Sequence, residues 1–418
     1  MSTWPTMELG EVCTLRGGAA FKPKLQGRDQ GDYPFIKVSD FNSSGNECYI
    51  NGANNWVDEA DLSLIQGRPQ PSGATVFAKI GEALKHNRKR FLRRPTFIDN
   101  NLMVAIPNLE RVQREFLFHL FRTIDIAASN VGTAVPYVKA STLQKIAVSI
   151  PPFETQKRIA AILGAYDDLI EVNRRRVAVL EEMARGLFEE WFVRFRFPGH
   201  EDVPIVDTPD GPLPEGWEWG TASAFVEFDP KTKVSKEGEK PFISMGLLHT
   251  STSLIDSFEY RSGNSGAKFK NDDTLFARIT PCLENGKTGL VRQLPPDPGV
   301  GFGSTEFIVI RKSRAGPAFA YCLARNPNFR DHAQSSMSGA SGRQRARTDS
   351  VAAYEMGVPS NDEFLDRFEG LAWPMLQLVG ELGVTNQKLS ASRDLLLPRL
   401  ISGQLSVEAA EHELEDAA

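Results

Sequence analysis

Two stretches of the chain keep a seven-residue apolar repeat going over many turns. In the first, Ile159, Tyr166, Asn173, Leu180 and Leu187 fall on one line, and Leu163, Ile170, Val177, Ala184 and Trp191 on the other. In the second, Phe368, Met375, Leu382, Leu389 and Leu396 make one line, and Ala372, Val379, Asn386, Arg393 and Leu400 the other. This spacing predicts two long helices with coiled-coil seams. At about 40 residues each, they would be on the order of 60 Å long. Each seam carries one asparagine, Asn173 or Asn386, a choice that costs stability but fixes register and partner. Arg393 is an imperfection in the second seam, and Pro374 predicts a kink or a late start there. Elsewhere the pattern shortens to alternating runs such as Phe35–Phe41 and Thr305–Lys312, separated by Gly, Pro, Asn and Ser. These read as strands and turns, with helices at Val112–Ala127 and Gly316–Arg325.

The pattern occurs twice. Pro34-Phe35-Ile36 returns as Pro241-Phe242-Ile243, and Thr75–Ile80 (TVFAKI) as Thr274–Ile279 (TLFARI). Ile150-Pro151-Pro152 is answered by Val358-Pro359-Ser360, and a long helical stretch follows each. Matches that keep this order predict a duplicated unit of about half the chain, a period too long for a solenoid. The predicted class is α+β: two pseudo-repeated, mainly antiparallel mixed units, each followed by a long helix. The predicted boundaries are 1–152 for the first unit, 153–197 for its helix and 198–212 for a linker. They continue with 213–360 for the second unit, 361–405 for its helix and 406–418 for an acidic, solvated tail.

Composition narrows the function. Of 418 residues, 41% are hydrophobic and 24% charged, close to the globular average, which excludes wholesale disorder. No apolar run is long enough for a membrane helix. The opening MSTWPTMELGEV has no basic and apolar signal pattern, so a cytoplasmic protein is expected. Cys13, Cys48, Cys282 and Cys322 are scattered without a CxxC pair, and the six histidines stand alone, so neither disulfides nor a metal site is predicted. His119 falls on an apolar helix face, as a core histidine would.

Catalytic motifs fail on inspection. Gly286-Lys287-Thr288 resembles the end of a phosphate-binding loop, but Pro281 stands where its first glycine is needed. The alternating glycines of Gly299–Ser304 precede no helical run and read as a turn. The segment Ser149–Phe153 (SIPPF) resembles the loop of DNA amino-methyltransferases. Ile150 offers no polar acceptor there, so it reads as a strand end before a helix. The sequence assigns no catalysis to this chain.

The net charge is −5, which disfavours a general polyanion binder but leaves room for local basic surfaces. Ala78–Arg94 carries Lys79, Lys85, Asn87, Arg88, Lys89 and Arg90, with Arg93 and Arg94 following, against the single acid Glu82. In the second copy, Gly339–Thr348 carries Arg343, Gln344, Arg345 and Arg347 with no acid. Lys and Arg neutralise phosphates, whereas Arg, Asn and Gln read base edges bidentately. The stretch Ser129–Thr142 sets Tyr137 and Lys139 roughly opposite Arg343 and Arg345. Arg278, Asn285 and Lys287 belong to or follow the TLFARI strand. Apart from Glu82, Arg93 and Arg94, these are predicted DNA-contacting residues.

The order of these features resembles the specificity (S) subunit of type I restriction-modification systems. The likeness rests on Trp4 and the LPEGWEW segment from Leu213, and on the TVFAKI and TLFARI strands. It also rests on VGTAVPYVKASTLQKIAVSIPPFETQKRIAAIL with its helix ending LEEMARGLFEEWF, and on RDLLLPRLISGQL near the end. The resemblance implies two target recognition domains, each reading one half of a bipartite double-stranded DNA site. The two long helices would pack as an antiparallel coiled coil that sets the spacer. They would also dock modification (M) subunits, two being expected, with restriction (R) subunits joining through the complex. Ile159, Leu163, Tyr166, Ile170, Asn173, Leu180, Leu187, Met375, Leu382, Asn386, Leu389 and Leu396 would form the coil and docking surface. The chain would be non-catalytic and hold no cofactor; S-adenosylmethionine, ATP and Mg would belong to the partner subunits. Two departures stand out. Thr155 replaces the usual Glu of Pro-Pro-x-x-Glu-Gln with Gln156 kept, and the second copy has lost the motif's second Pro and its Gln. From the residues alone, the competing reading is a duplicated coiled-coil scaffold that binds protein partners.

Overall fold

The computed structural model describes residues 4–130, 135–297, 299–339 and 344–415. The chain forms two compact units, residues 1–172 with 388–418, and residues 173–387. Two long helices, Phe153–Phe188 and Glu363–Ile401, contribute to both units.

In the first unit, strands β1 (Thr75–Ala78), β2 (Lys89–Leu92) and β3 (Leu102–Pro107) centre a five-stranded sheet. β1 runs antiparallel to both neighbours, with Thr75 facing Phe91 and Ala105. Cys13–Gly17 adds an antiparallel edge and Tyr49–Ile50 a parallel one. Every residue of β1 and β2 is buried, so these strands do not alternate in polarity. A smaller sheet sets Tyr33–Ile36 parallel to Phe97–Ile98. Helix α1 (Arg114–Thr123) opens on Gln113, whose side chain accepts from Phe116 N at 2.6 Å, and it places Phe121 against Phe77. After helix α2 (Ala140–Leu143), the strand Ala147–Ser149 pairs with Thr6–Glu8, and the two prolines end it before the long helix.

Ile159 and Leu163 of that helix share one core with Leu396, Leu400 and Ile401. The seam irregularity at Arg393 is part of a buried charge cluster: Asp167 accepts from Arg393 at 2.5 Å and from Arg122 at 2.7 Å. The predicted acidic tail is corrected. Val407–Glu415 is a helix whose Val407 and Ala410 are buried, while Arg158 pairs with Glu408 and Glu411 at 2.6 Å each. The apolar i, i+3 pair outweighs the acidic composition in placing this segment.

In the second unit the same pairings recur. Strand β4 (Thr274–Ala277) lies between β5 (Thr288–Leu290) and β6 (Phe307–Lys312), antiparallel to both, with Thr274 facing Leu290 and Ile310. Glu239–Ile243 runs parallel to Val300–Gly303 as Tyr33–Ile36 does to Phe97–Ile98. Helix α3 (Pro317–Arg325) follows β6 as α1 follows β3, and α4 (Thr348–Ala352) precedes the strand Glu355–Pro359. The predicted linker is not devoid of structure. Ile205–Thr208 and Gly211–Pro214 form a hairpin around Pro209-Asp210, closed by Gly211 at φ 125°.

The second long helix runs through Pro374 instead of starting after it. Proline inside a helix costs about 3 kcal/mol. Upstream of it, Leu365, Phe368 and Ala372 are buried in a core where Trp191 meets Phe364 at 5.0 Å and Phe192 meets Phe368 at 5.1 Å. Burying side chains of that size contributes about 1.5–3 kcal/mol each, enough to hold the first turns. Asn173 Nδ2 donates to Asn386 Oδ1 at 3.0 Å. From that pair to Phe188–Phe368 and Trp191–Phe364, the contacts run in opposite directions along the two helices.

Candidate nucleic-acid interface

The end of β1 and the segment before α2 meet in a corner. Val138 N donates to Lys79 O at 2.9 Å, Gly81 N to Pro136 O at 2.8 Å, and Lys79 N to Asn101 O at 2.9 Å. Lys79, Tyr137 and Lys139 thereby line an open cleft of ≈ 450 Å³, with the Lys139 ammonium 5.9 Å from the Tyr137 ring centre. Val138 beneath them is buried.

The second unit builds the same corner from different side chains. Ala346 N donates to Arg278 O at 2.8 Å, Thr280 N to Gln344 O at 3.2 Å, and Arg278 N to Glu306 O at 3.0 Å. Arg345 is further tied by backbone bonds in both directions to Ser338. Its guanidinium grips Glu306 bidentately, at 2.8 Å and 2.7 Å. That guanidinium holds the Glu306 carboxyl below the usual carboxylate range. Arg347 pairs in the same two-point manner with Asp349. The register shifts the expected correspondence by two residues: Tyr137 matches Arg345 and Lys139 matches Arg347.

The other predicted contacts divide. Lys85 is exposed and pairs with Glu82 at 2.7 Å. Asn87, at φ 52°, bridges to the end of α1 by donating to Ile124 O and accepting from Ile126 N. Arg88 donates to Asn42. Lys89 and Arg90 are corrected, because both are buried. Lys89 Nζ donates to Ile124 O at 2.7 Å, and burial lowers its pKa to about 8. Arg90 donates to Phe41 O and lies 5.3 Å from that ring. Their basic run is no open loop: it enters β2, a strand covered on both faces. Lys287 is half-buried and donates to Met245 O at 3.0 Å, while Asn285 is exposed nearby. Gln344 is half-buried, and Arg343 lies outside the described residues.

On the helices, Ile159, Leu163, Ile170, Asn173 and Leu396 are buried. Tyr166, Leu180, Leu187, Met375, Leu382, Asn386 and Leu389 are half-buried. Sequence reasoning missed several residues that position these elements. Gln156, noted only as a motif residue, is buried and joins the helix start to the α1 cap by accepting from Gln113 N and donating to Arg111 O. Glu181 accepts from Tyr321 Oη at 2.6 Å and from Ser253 N at 2.5 Å. Arg325 donates to the carbonyls of Thr250, Gly286 and Thr288. Glu306 and Asn101 were also missed; each directly precedes its strand, a signal visible only once the two copies are aligned. Among the described residues, no group of His, Cys, Asp and Glu has the makings of a metal site, and no helix is long and apolar enough to cross a membrane.

Comparison with known proteins shows what the chain is similar to. Residues 1–182 match the type I restriction modification DNA specificity domain. The MjaIX specificity subunit of Methanocaldococcus jannaschii is 24% identical over 97% of this chain and 94% of its own length. The EcoAI specificity subunit of Escherichia coli is 36% identical, over 34% of this chain and 26% of its own length. In fold, the crystal structure of the type I S subunit of M. genitalium aligns over 95% of this chain and 96% of its own, with TM-score 0.57 and 13% identity. Residues 1–182 thus match the DNA specificity domain of the type I systems, and over nearly its whole length the chain is similar to a type I specificity subunit.

Proposed function

We propose that this chain is the non-catalytic DNA-recognition subunit of a type I restriction-modification complex, each unit reading one half of a bipartite double-stranded site. The observation that carries this reading is the corner built twice on one backbone pattern, with cations at two matching places, Lys79 against Arg278 and Lys139 against Arg347, and Arg345 added in the second unit. The match to a DNA specificity domain supports it. The long helices act as an antiparallel spacer, a role supported by the Asn173–Asn386 pair and the opposed ring contacts in the second unit. They also dock two modification subunits. Exposed apolar side chains support docking: Leu169, Val172 and Leu395 in the first unit, Val179, Met183, Leu371 and Leu378 in the second. S-adenosylmethionine, ATP and Mg serve the modification and restriction subunits, and the complex works in the cytoplasm.

A methylation map of the source genome, with and without this chain, tests the reading. A split adenine-methylation motif that vanishes on deletion supports it. An unchanged map, together with no co-purifying modification subunit, overturns it.

A further inference from the structure

The two corners share a frame and differ in what the frame presents. In TVFAKI and TLFARI, three of the four buried strand positions are identical, Thr75 and Thr274, Phe77 and Phe276, Ala78 and Ala277, and the fourth stays aliphatic, Val76 and Leu275. The buried residue of the facing segment stays small and apolar, Val138 in one and Ala346 in the other. The turn before the third strand is also kept. Asn101 N is held by Asp99 Oδ1 at 3.0 Å, and Glu306 N by Ser304 Oγ at 3.2 Å. The side chains that change are those at the rim: Lys79 against Arg278, Asn101 against Glu306, Tyr137 against Arg345, and Lys139 against Arg347. A scaffold that repeats its supports while exchanging its rim is built to present different chemistry from one geometry.

We propose that these four matched positions are the specificity-determining set of each unit, and that Glu306 is a positioning residue that fixes how Arg345 meets a base edge. The proposal rests on the DNA-recognition reading and names its residues. Glu306 is anchored on both sides by backbone bonds and its side chain is largely covered, whereas Arg345 is 46% exposed. A partly exposed ion pair adds little stability. A two-point grip does more for geometry, because it sets the plane and direction of the guanidinium. Arginine discriminates bases through two hydrogen bonds at once, so the direction of its plane decides which edge it accepts. In the first unit the partner positions hold Asn101 and Tyr137, neither charged, so that unit reads its half-site by other contacts.

The test uses the full chain assembled with its cognate modification subunits, and reads the methylated motif by long-read sequencing of a random-sequence library. Glu306→Gln is expected to reduce discrimination at one base position of one half-site by roughly tenfold or more, leaving the other half-site as in the wild type. In an Arg345→Ala background, Glu306→Gln is expected to change nothing further, since it acts through that arginine. The reciprocal variant, Tyr137→Phe with Asn101→Asp, alters only the other half-site. An unchanged motif overturns the proposal, and so does a uniform loss at all sequences, which is what a purely structural ion pair would give. Should Glu306→Gln fail to assemble, Arg345→Lys decides the matter, because it keeps the charge and removes the two-point grip; unaltered base preference then overturns the proposal. A wild-type complex with no sequence preference would instead sink the DNA-recognition reading itself.

Discussion

At the scale of single residues, the clearest consequence of burial is at His119. The histidine is 2% exposed, with Nδ1 4.0 Å from Asp167, and Arg122 and Arg393 share that carboxylate. Burial lowers its pKa to about 3, Asp167 opposing the shift and the two arginines adding to it. Because the folded-state pKa lies below the unfolded value, the unfolded chain binds more protons in between. The associated stability is complete above about pH 6.5 and declines as pH falls toward 3. His119→Phe, which cannot take up that proton, is expected to flatten the fall between pH 6.5 and 4 by up to about 1.4 kcal/mol per pH unit. Urea midpoints across that range check it; parallel profiles for both proteins would refute it. Sequence reading placed His119 in the core, because its neighbours on the helix are apolar. It misplaced Lys89 and Arg90, because charge alone does not reveal that a lysine stem and a guanidinium can reach carbonyls inside a sheet. Arg345 stood out by its basic run, and Tyr137 and Lys139 by lying roughly opposite such a run in the other copy, whereas Glu306, an acid, belongs to no basic run.

At the scale of elements, heptad spacing located both helices, and the two seam asparagines it singled out are hydrogen-bonded to each other. Replacing both by leucine is expected to raise stability in chemical denaturation. Asn173→Leu alone removes that partner from Asn386 and should lower stability by about 1 kcal/mol. A single variant as stable as the double would refute this expectation. The C-terminal helix was illegible for the opposite reason: VEAAEHELEDAA reads as a solvated acid run, yet Val407 and Ala410 sit in the first unit's core. Ending the chain at Leu405 should cost about 2–3 kcal/mol, mostly from lost apolar burial and little from the exposed Arg158 pairs. An unchanged unfolding midpoint would return the segment to the status of a tail. Pro374 shows the same limit, since local propensity forbids what the aromatic core around Phe368 imposes.

At the scale of the whole molecule, the duplicated order of motifs was the most informative signal. It carried the family resemblance, and β1 and β4 occupy the same place between the same neighbours. What the order could not convey is how each helix divides between the compact units, because a seven-residue repeat has no internal boundary. The proposed spacer role makes a length prediction. The Asn173–Asn386 pair marks positions that face each other, so one heptad inserted after Arg174 and one before Thr385 extends both helices in step. Each insert adds about 10 Å of helix. With duplex DNA rising about 3.4 Å per base pair, the unread gap should lengthen by at most about three base pairs while both half-sites keep their sequence. Inserting the heptad in one helix only breaks the pairing and should abolish methylation rather than shift the gap. A methylation map of the doubly extended complex decides the matter. An unchanged gap would show that the helices do not set the spacing, and a changed half-site would show that they do more than set it.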